Sequence, residues 1–139
     1  MSLGLYLHIP YCFSKCRYCD FYSHPGERGV PDAYVNALLR ELSRFAPEAP
    51  LQPDTLYFGG GTPSLLRPEQ AKRLIVAARP MPGAEITLEA NPETVTEESL
   101  AGFREAGVNR ISFGVQSARD TQLRTLGRPH TAKQARAAF

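Results

Sequence analysis

The chain has 139 residues, of which 42% are apolar and 22% charged, and its formal net charge is +2. This composition is typical of one globular domain, and it lacks the basic excess of a nucleic-acid-binding protein. No apolar run approaches the length of a membrane span, and the first residues lack the basic end and cleavage site of a secretory signal. We therefore expect a protein with no nucleic-acid partner and no membrane span.

Hydrophobic periodicity predicts strands that alternate with helices along the whole chain. The predicted strands are residues 5–9, 55–58, 85–89 and 110–116. The predicted helices are residues 32–45, residues 68–79, a segment from a capping box of Thr94 and Glu97 to Gly107, and a segment that begins near Thr131. The order β-α-β-α-β-α-β-α predicts an α/β fold with parallel strands and right-handed crossovers.

Four strands are too few to close a barrel. The pattern therefore predicts the amino-terminal portion, about four βα units, of a larger α/β barrel. In this interpretation residues 1–139 are one incomplete domain, and the chain stops inside the fourth helix. A small open sheet is the alternative. The same pattern predicts poor solubility for the 139 residues expressed alone, because one edge of the fourth strand would stay uncovered.

All three cysteines of the chain lie within eight residues, Cys12-Phe-Ser-Lys-Cys16-Arg-Tyr-Cys19. Three thiolates on one short loop can hold three irons of a cuboidal iron–sulfur cluster and leave the fourth iron open for a ligand. Clustered free thiols also fit a reducing compartment, so we expect the protein to be cytoplasmic.

Other roles for these cysteines stay open at this point. A structural zinc site normally uses four protein ligands, and only His8 and His24 are close enough in the sequence to supply the fourth. A redox pair of Cys16 and Cys19 would leave Cys12 without a role. Three inert buried cysteines are the simplest alternative, although the polar residues of the loop disfavour it.

The other unusual residues follow the ends of the predicted strands, where parallel α/β folds bind their ligands. Gly59, Gly60, Gly61 and Thr62 follow the second strand. The third strand ends at Glu89 and the fourth at Gln116. Glycine lets a backbone approach a ligand closely, while a carboxylate and an amide can bind ribose hydroxyls or an amino group. Arg128, further along, could bind a carboxylate.

These residues together resemble the radical S-adenosylmethionine (SAM) superfamily, and within it the oxygen-independent coproporphyrinogen III oxidase group with its HemW heme-chaperone branch. The segments that carry the resemblance are Tyr6-x-His8-Ile9-Pro10, the three-cysteine motif with Asp20-Phe21, Phe58-Gly59-Gly60-Gly61-Thr62-Pro63-Ser64, Glu89-Ala-Asn91-Pro92 and Arg110-x-Ser112-x-Gly114-Val115-Gln116-Ser117. The resemblance extends over nearly the whole chain and implies a partial radical SAM (β/α) barrel.

The resemblance also implies cofactors and the residues that bind them. It assigns a [4Fe–4S] cluster to Cys12, Cys16 and Cys19, with SAM on the open iron. The positions that match contacts to this SAM are Tyr6, Gly60 and Glu89. The positions that match contacts to a second SAM in the oxidases are Tyr18, Gly61, Thr62, Gln116 and Arg128. The cofactors would carry the difficult chemistry, whereas the protein would orient and shield them.

Two functions are compatible with this resemblance. The oxidases carry another cysteine soon after the motif and a longer leader, whereas this chain has Asp20-Phe21-Tyr22-Ser23 there and eleven residues before Cys12. Both features favour the HemW branch, in which heme passes to an acceptor protein, over oxidative decarboxylation of a porphyrinogen. The heme-binding motif of that branch lies outside these 139 residues, and the acceptor and electron donor stay unknown. An inactive truncated product is a third alternative.

Overall fold

The computed structural model describes residues 2–45 and 51–139, and these residues form one parallel four-stranded sheet with helices between its strands. The strands are β1 (Gly4–Ile9), β2 (Thr55–Gly60), β3 (Glu85–Ala90) and β4 (Arg110–Phe113). Their order in the sheet is the order in the sequence, and every neighbouring pair is parallel. The sheet therefore has the α/β topology that the sequence predicts.

Helices follow each strand of the sheet. The helices are α1 (Asp32–Phe45), α2 (Pro68–Ala78), α3 (Glu97–Ala106), α4 (Asp120–Leu126) and α5 (Ala132–Ala137). Two short 3₁₀ turns, Pro63–Leu65 and Pro92–Thr94, follow β2 and β3. Among the described residues no helix combines the length and apolar character needed to cross a membrane.

The core lies between one face of the sheet and the first three helices. Alternate residues of the strands, such as Leu56, Phe58 and Leu88, are completely buried there, because successive side chains of a strand point to opposite faces. Leu74 of α2 and Phe103 of α3 belong to the same core. The helices thus cover one face, which leaves the other face and the carboxyl ends of the strands free for polar and aromatic side chains.

Two predictions about the last quarter of the chain need correction. The fourth strand ends at Phe113 rather than at residue 116, since Gln116 has a φ of 66°, in the left-handed region that a strand cannot contain. Helix α4 was not predicted, because it has seven residues and buries only Leu123, too little for a periodic pattern. The helix predicted to begin near Thr131 is confirmed by α5, whose N-cap is Thr131.

The start of α3 also differs from the prediction. Thr96, not Thr94, is the N-cap: its hydroxyl accepts a hydrogen bond from the Ser99 N–H at 3.1 Å, and the Thr96 N–H donates to the Ser99 hydroxyl at 2.8 Å. The Thr94 hydroxyl instead donates to the carbonyl of Asn91 at 2.8 Å and closes the turn after β3. Both threonines stand three residues before a polar side chain, so spacing alone could not separate them.

This correction predicts different effects for two neighbouring substitutions. Thr96→Ala removes the cap and should lower the free energy of unfolding by about 1 kcal/mol. Glu97→Ala leaves the cap hydrogen bonds intact and removes only a charge near the helix amino terminus, worth about 0.3–1 kcal/mol. The midpoint of urea unfolding measures both effects. A larger effect of Glu97→Ala than of Thr96→Ala would contradict the assignment of the cap.

Candidate functional site

A cavity of about 280 Å³ lies at the carboxyl ends of all four strands. Its wall includes ten of the eleven residues that the sequence singled out: Cys12, Cys16, Tyr18, Cys19, Gly60, Gly61, Thr62, Glu89, Gln116 and Arg128. The strand ends bring these residues together from positions up to 116 residues apart in the sequence, as expected for the ligand-binding edge of a parallel sheet.

The cysteine loop is held in place by backbone hydrogen bonds at both ends and in the middle. Residues Tyr11–Cys12 form a short parallel ladder with His24–Pro25. The N–H of Cys19 donates to the carbonyl of Cys16, and the N–H of Arg17 donates to the carbonyl of Leu126 at the end of α4. These bonds close the loop on itself and fix it against the end of a helix.

All three cysteines are free thiols; Cys12 is buried, whereas Cys16 and Cys19 are half-buried. In the part of the chain that the structure describes, no three His, Cys, Asp or Glu side chains converge as they would around a single metal ion. The three sulfur-bearing residues instead border one cavity. This donor set fits a cuboidal cluster, which is wider than one ion and is held by cysteine thiolates.

The glycines after β2 let the sheet approach the start of the cysteine loop. The Gly61 N–H donates to the carbonyl of Ile9 at 2.8 Å, and the Thr62 N–H donates to the carbonyl of Tyr11 at 2.7 Å. A Cβ at position 61 would lie 2.7 Å from the carbonyl oxygen of Tyr11 and 2.9 Å from the Cys12 sulfur. Only glycine fits at position 61, so it keeps the cysteine loop close to β2.

The Glu89 carboxylate lies in the cavity wall beside these glycines. It accepts hydrogen bonds from the Tyr57 hydroxyl at 2.7 Å and from the Gly60 N–H at 3.2 Å. Burial and the bond to Glu89 both raise the pKa of the Tyr57 hydroxyl, so Tyr57 stays a neutral donor. Two hydrogen bonds leave this carboxylate with further acceptor sites for a ligand.

A polar network that the sequence did not predict connects two of the cysteines. Arg128 donates to the Cys16 sulfur at 3.2 Å and to the Asn91 oxygen at 2.6 Å, and Asn91 donates to the Thr62 hydroxyl at 3.3 Å. Thr62 in turn donates to the Cys12 sulfur at 3.6 Å. The predicted site residues do not include Asn91, although its position just after the third strand places it at the ligand-binding edge of the sheet.

The remaining predicted residues lie at the edge of the site. Tyr18 is 49% exposed, and partial burial raises the pKa of its hydroxyl while the Arg128 guanidinium acts in the opposite direction. Gln116 lines the cavity with an exposed side chain.

Tyr6 is the one predicted residue that the cavity wall does not include. Its hydroxyl lies 3.1 Å from Nδ1 of His8, and its ring stacks on Tyr57 with 6.0 Å between the centroids. Tyr6 thus packs on the residue that binds Glu89, and its predicted contact with SAM stays a prediction.

Residues 6–139 match the sequence model of the Radical SAM superfamily. The chain therefore belongs to the radical SAM superfamily. It is 45% identical over 142 residues to the heme chaperone HemW of Escherichia coli, covering 98% of this chain and 38% of that protein. It is 41% identical over 146 residues to the heme chaperone HemW of Haemophilus influenzae, again covering 98% of this chain and 38% of the relative.

A solved structure shows the same fold. Coproporphyrinogen III oxidase (HemN) from Escherichia coli, a radical SAM enzyme, matches with a TM-score of 0.87 and 31% identity, over 99% of this chain and 33% of that one. The match confirms the predicted amino-terminal part of a radical SAM barrel. The chain spans little more than a third of the relatives it matches.

The close contact at Gly61 predicts a cost for any side chain there. Gly61→Ala would push backbone atoms of the cysteine loop away from β2, and we expect it to lower the free energy of unfolding by about 1–3 kcal/mol. Gly29→Ala is the matched control, because a Cβ there would meet only a carbonyl 4.0 Å away. Thermal unfolding measures both variants. Equal midpoints for the two would contradict the close approach at position 61.

Proposed function

We propose that this chain forms the cofactor-binding part of a cytoplasmic, HemW-like heme chaperone, which binds a [4Fe–4S] cluster and SAM and passes heme to an acceptor protein. The observation that carries the proposal is the cavity whose wall combines three free cysteines with a bare glycine backbone and a carboxylate. The higher identity to the HemW relatives than to HemN supports the choice of branch.

The cysteines would hold the cluster, and the glycine backbone and Glu89 would hold SAM. When bound, the cluster supplies single electrons for the reductive cleavage of SAM. Cys12, Cys16 and Cys19 would each bind one iron, and this three-cysteine motif would leave the fourth iron open. The open iron would then accept the amino and carboxylate groups of SAM.

Glu89 and the glycines would orient the amino acid end of SAM. The Glu89 carboxylate is fixed by Tyr57 and the Gly60 N–H and still has acceptor sites for an ammonium group. The absence of side chains at Gly60 and Gly61 lets a ligand lie against the backbone there. Tyr18, Thr62, Gln116 and Arg128 would lie around the rest of the ligand, as the resemblance implies.

Oxygen-independent oxidation of coproporphyrinogen III is the second candidate function, and the structural match to HemN favours it. The two functions differ in a measurable product. We expect the anaerobically reconstituted full-length protein to bind heme, seen as a shift of the heme absorbance band, and to leave coproporphyrinogen III unchanged when SAM and a reductant are supplied. Formation of protoporphyrinogen would overturn the chaperone proposal.

The assignment of cluster ligands predicts the effect of removing one thiol. Cys16→Ala should abolish stable assembly of the cluster, because two thiolates hold a cuboidal cluster weakly. Ser14→Ala, in the same loop, should assemble it normally. Iron and acid-labile sulfide per chain after anaerobic reconstitution measure the effect. Full iron and sulfide in Cys16→Ala would refute the assignment, and tetrahedral zinc binding by the unmodified protein would refute the cluster itself.

The proposed role of Glu89 predicts a separate loss. Glu89→Ala should retain the cluster but weaken SAM binding by about 1–3 kcal/mol, the usual effect of losing a buried hydrogen bond to a charged group. Glu85→Ala changes an exposed carboxylate at the other end of β3 and serves as the control. Equilibrium dialysis with SAM measures both affinities. An unchanged affinity for Glu89→Ala would leave Glu89 with only a structural role.

A further inference from the structure

Arg128 is a buried cation that contacts a cysteine rather than a carboxylate. Only 9% of the residue is exposed, and its Nη1 lies 3.2 Å from the Cys16 sulfur. Nη2 donates to Asn91 and to the carbonyl of Gly114. Within residues 2–45 and 51–139 none of the salt bridges includes Arg128. Since buried charges are normally paired, the Cys16 sulfur, which would carry negative charge when it binds iron, is the natural counter-charge.

The backbone fixes the distance between Arg128 and Cys16. The Arg128 N–H donates to the Leu123 carbonyl at 2.9 Å, which holds the residue against the end of α4. The Arg17 N–H, next to Cys16, donates to the carbonyl of Leu126 at 3.1 Å. The backbones of both partners are therefore tied to the same helix end, and the bonds to Asn91 and Gly114 orient the guanidinium.

Asn91 and Thr62 extend the same arrangement to a second cysteine. Asn91 uses its oxygen for Arg128 and its NH₂ group for Thr62, whose hydroxyl donates to the Cys12 sulfur. A Cβ at Gly114 would lie 2.7 Å from the Asn91 oxygen, so glycine is required there for this geometry. One connected unit thus supplies a charged donor to Cys16 and a neutral donor to Cys12.

We propose that Arg128, Asn91 and Thr62 form a positioning unit that sets the reduction potential of the cluster through hydrogen bonds to the sulfurs of Cys16 and Cys12. This inference rests on the proposed function, because it requires the cluster. Reduction adds a negative charge to the cluster, and hydrogen bonds to its sulfur ligands together with a nearby positive charge stabilise the reduced state. Arg128 therefore raises the potential.

The two donors should differ in strength. The Arg128 contact is shorter and its donor is charged, and charge-assisted hydrogen bonds are about twice as strong as neutral ones. Thr62 offers a neutral hydroxyl at the longer distance. Removal of Arg128 should therefore shift the potential further than removal of the Thr62 hydroxyl.

The test measures the midpoint potential of the reconstituted cluster in the full-length protein by anaerobic titration monitored by EPR. We expect Arg128→Gln to shift the potential to a clearly more negative value, Arg128→Lys to lie between this variant and the unmodified protein, and Thr62→Val to give a smaller negative shift. Arg124→Gln, an exposed arginine of α4, is the matched control and should leave the potential unchanged.

Resonance Raman spectroscopy gives a second readout that activity does not affect. In the unmodified protein the iron–cysteine stretching bands should shift in D₂O, because exchangeable N–H and O–H groups bind the sulfurs, and Arg128→Gln should reduce this shift. If Arg128→Gln assembles no cluster and Arg128→Lys does, the midpoint potential of Arg128→Lys alone tests the inference. Unchanged potentials, or loss of the cluster from both folded Arg128 variants, would overturn the inference. Failure of the unmodified protein to bind a cluster would instead overturn the proposed function.

Discussion

The candidate site depends on one backbone contact, the approach of the end of β2 to the start of the cysteine loop. Two hydrogen bonds, from Gly61 to Ile9 and from Thr62 to Tyr11, join the two segments. The space between them is too small for a Cβ at position 61. This contact places the Cys12 sulfur beside the glycine backbone, in which the Gly60 N–H binds Glu89.

Apolar and polar side chains lie in different parts of the fold. Apolar residues of the strands face the helices, so the hydrophobic core that stabilises the sheet does not include the residues of the site. Polar groups converge past the strand ends and pair with one another: Glu89 with Tyr57, Asn91 with Arg128, and Thr62 with Cys12. Polar groups that satisfy one another in this way hold the site in a single geometry before any ligand arrives.

The sequence predicted the strands and the cavity wall because both depend on regular patterns. Short apolar runs located the strands, parallel topology required their carboxyl ends to meet at one edge, and the family resemblance added Tyr18 and the roles of the other wall residues. The network of Asn91 and the N-cap at Thr96 escaped prediction, because several polar residues near each strand end had equivalent spacing. The left-handed turn at Gln116, closed by a bond from the Ser117 N–H to the Val115 carbonyl, escaped prediction because residues other than glycine rarely adopt this conformation.

The segment on which the choice between the two candidate functions rests includes exposed aromatic residues. Phe21 lines the cavity with 68% of its surface exposed, and Tyr22 beside it is 71% exposed, in the segment where the sequence departs from the oxidases. The part of the cavity wall formed by Gly60, Gly61 and Glu89 is compatible with either function. We expect Phe21 and Tyr22, rather than Gly60, Gly61 and Glu89, to influence which ligand enters the cavity and so which of the two functions the protein has.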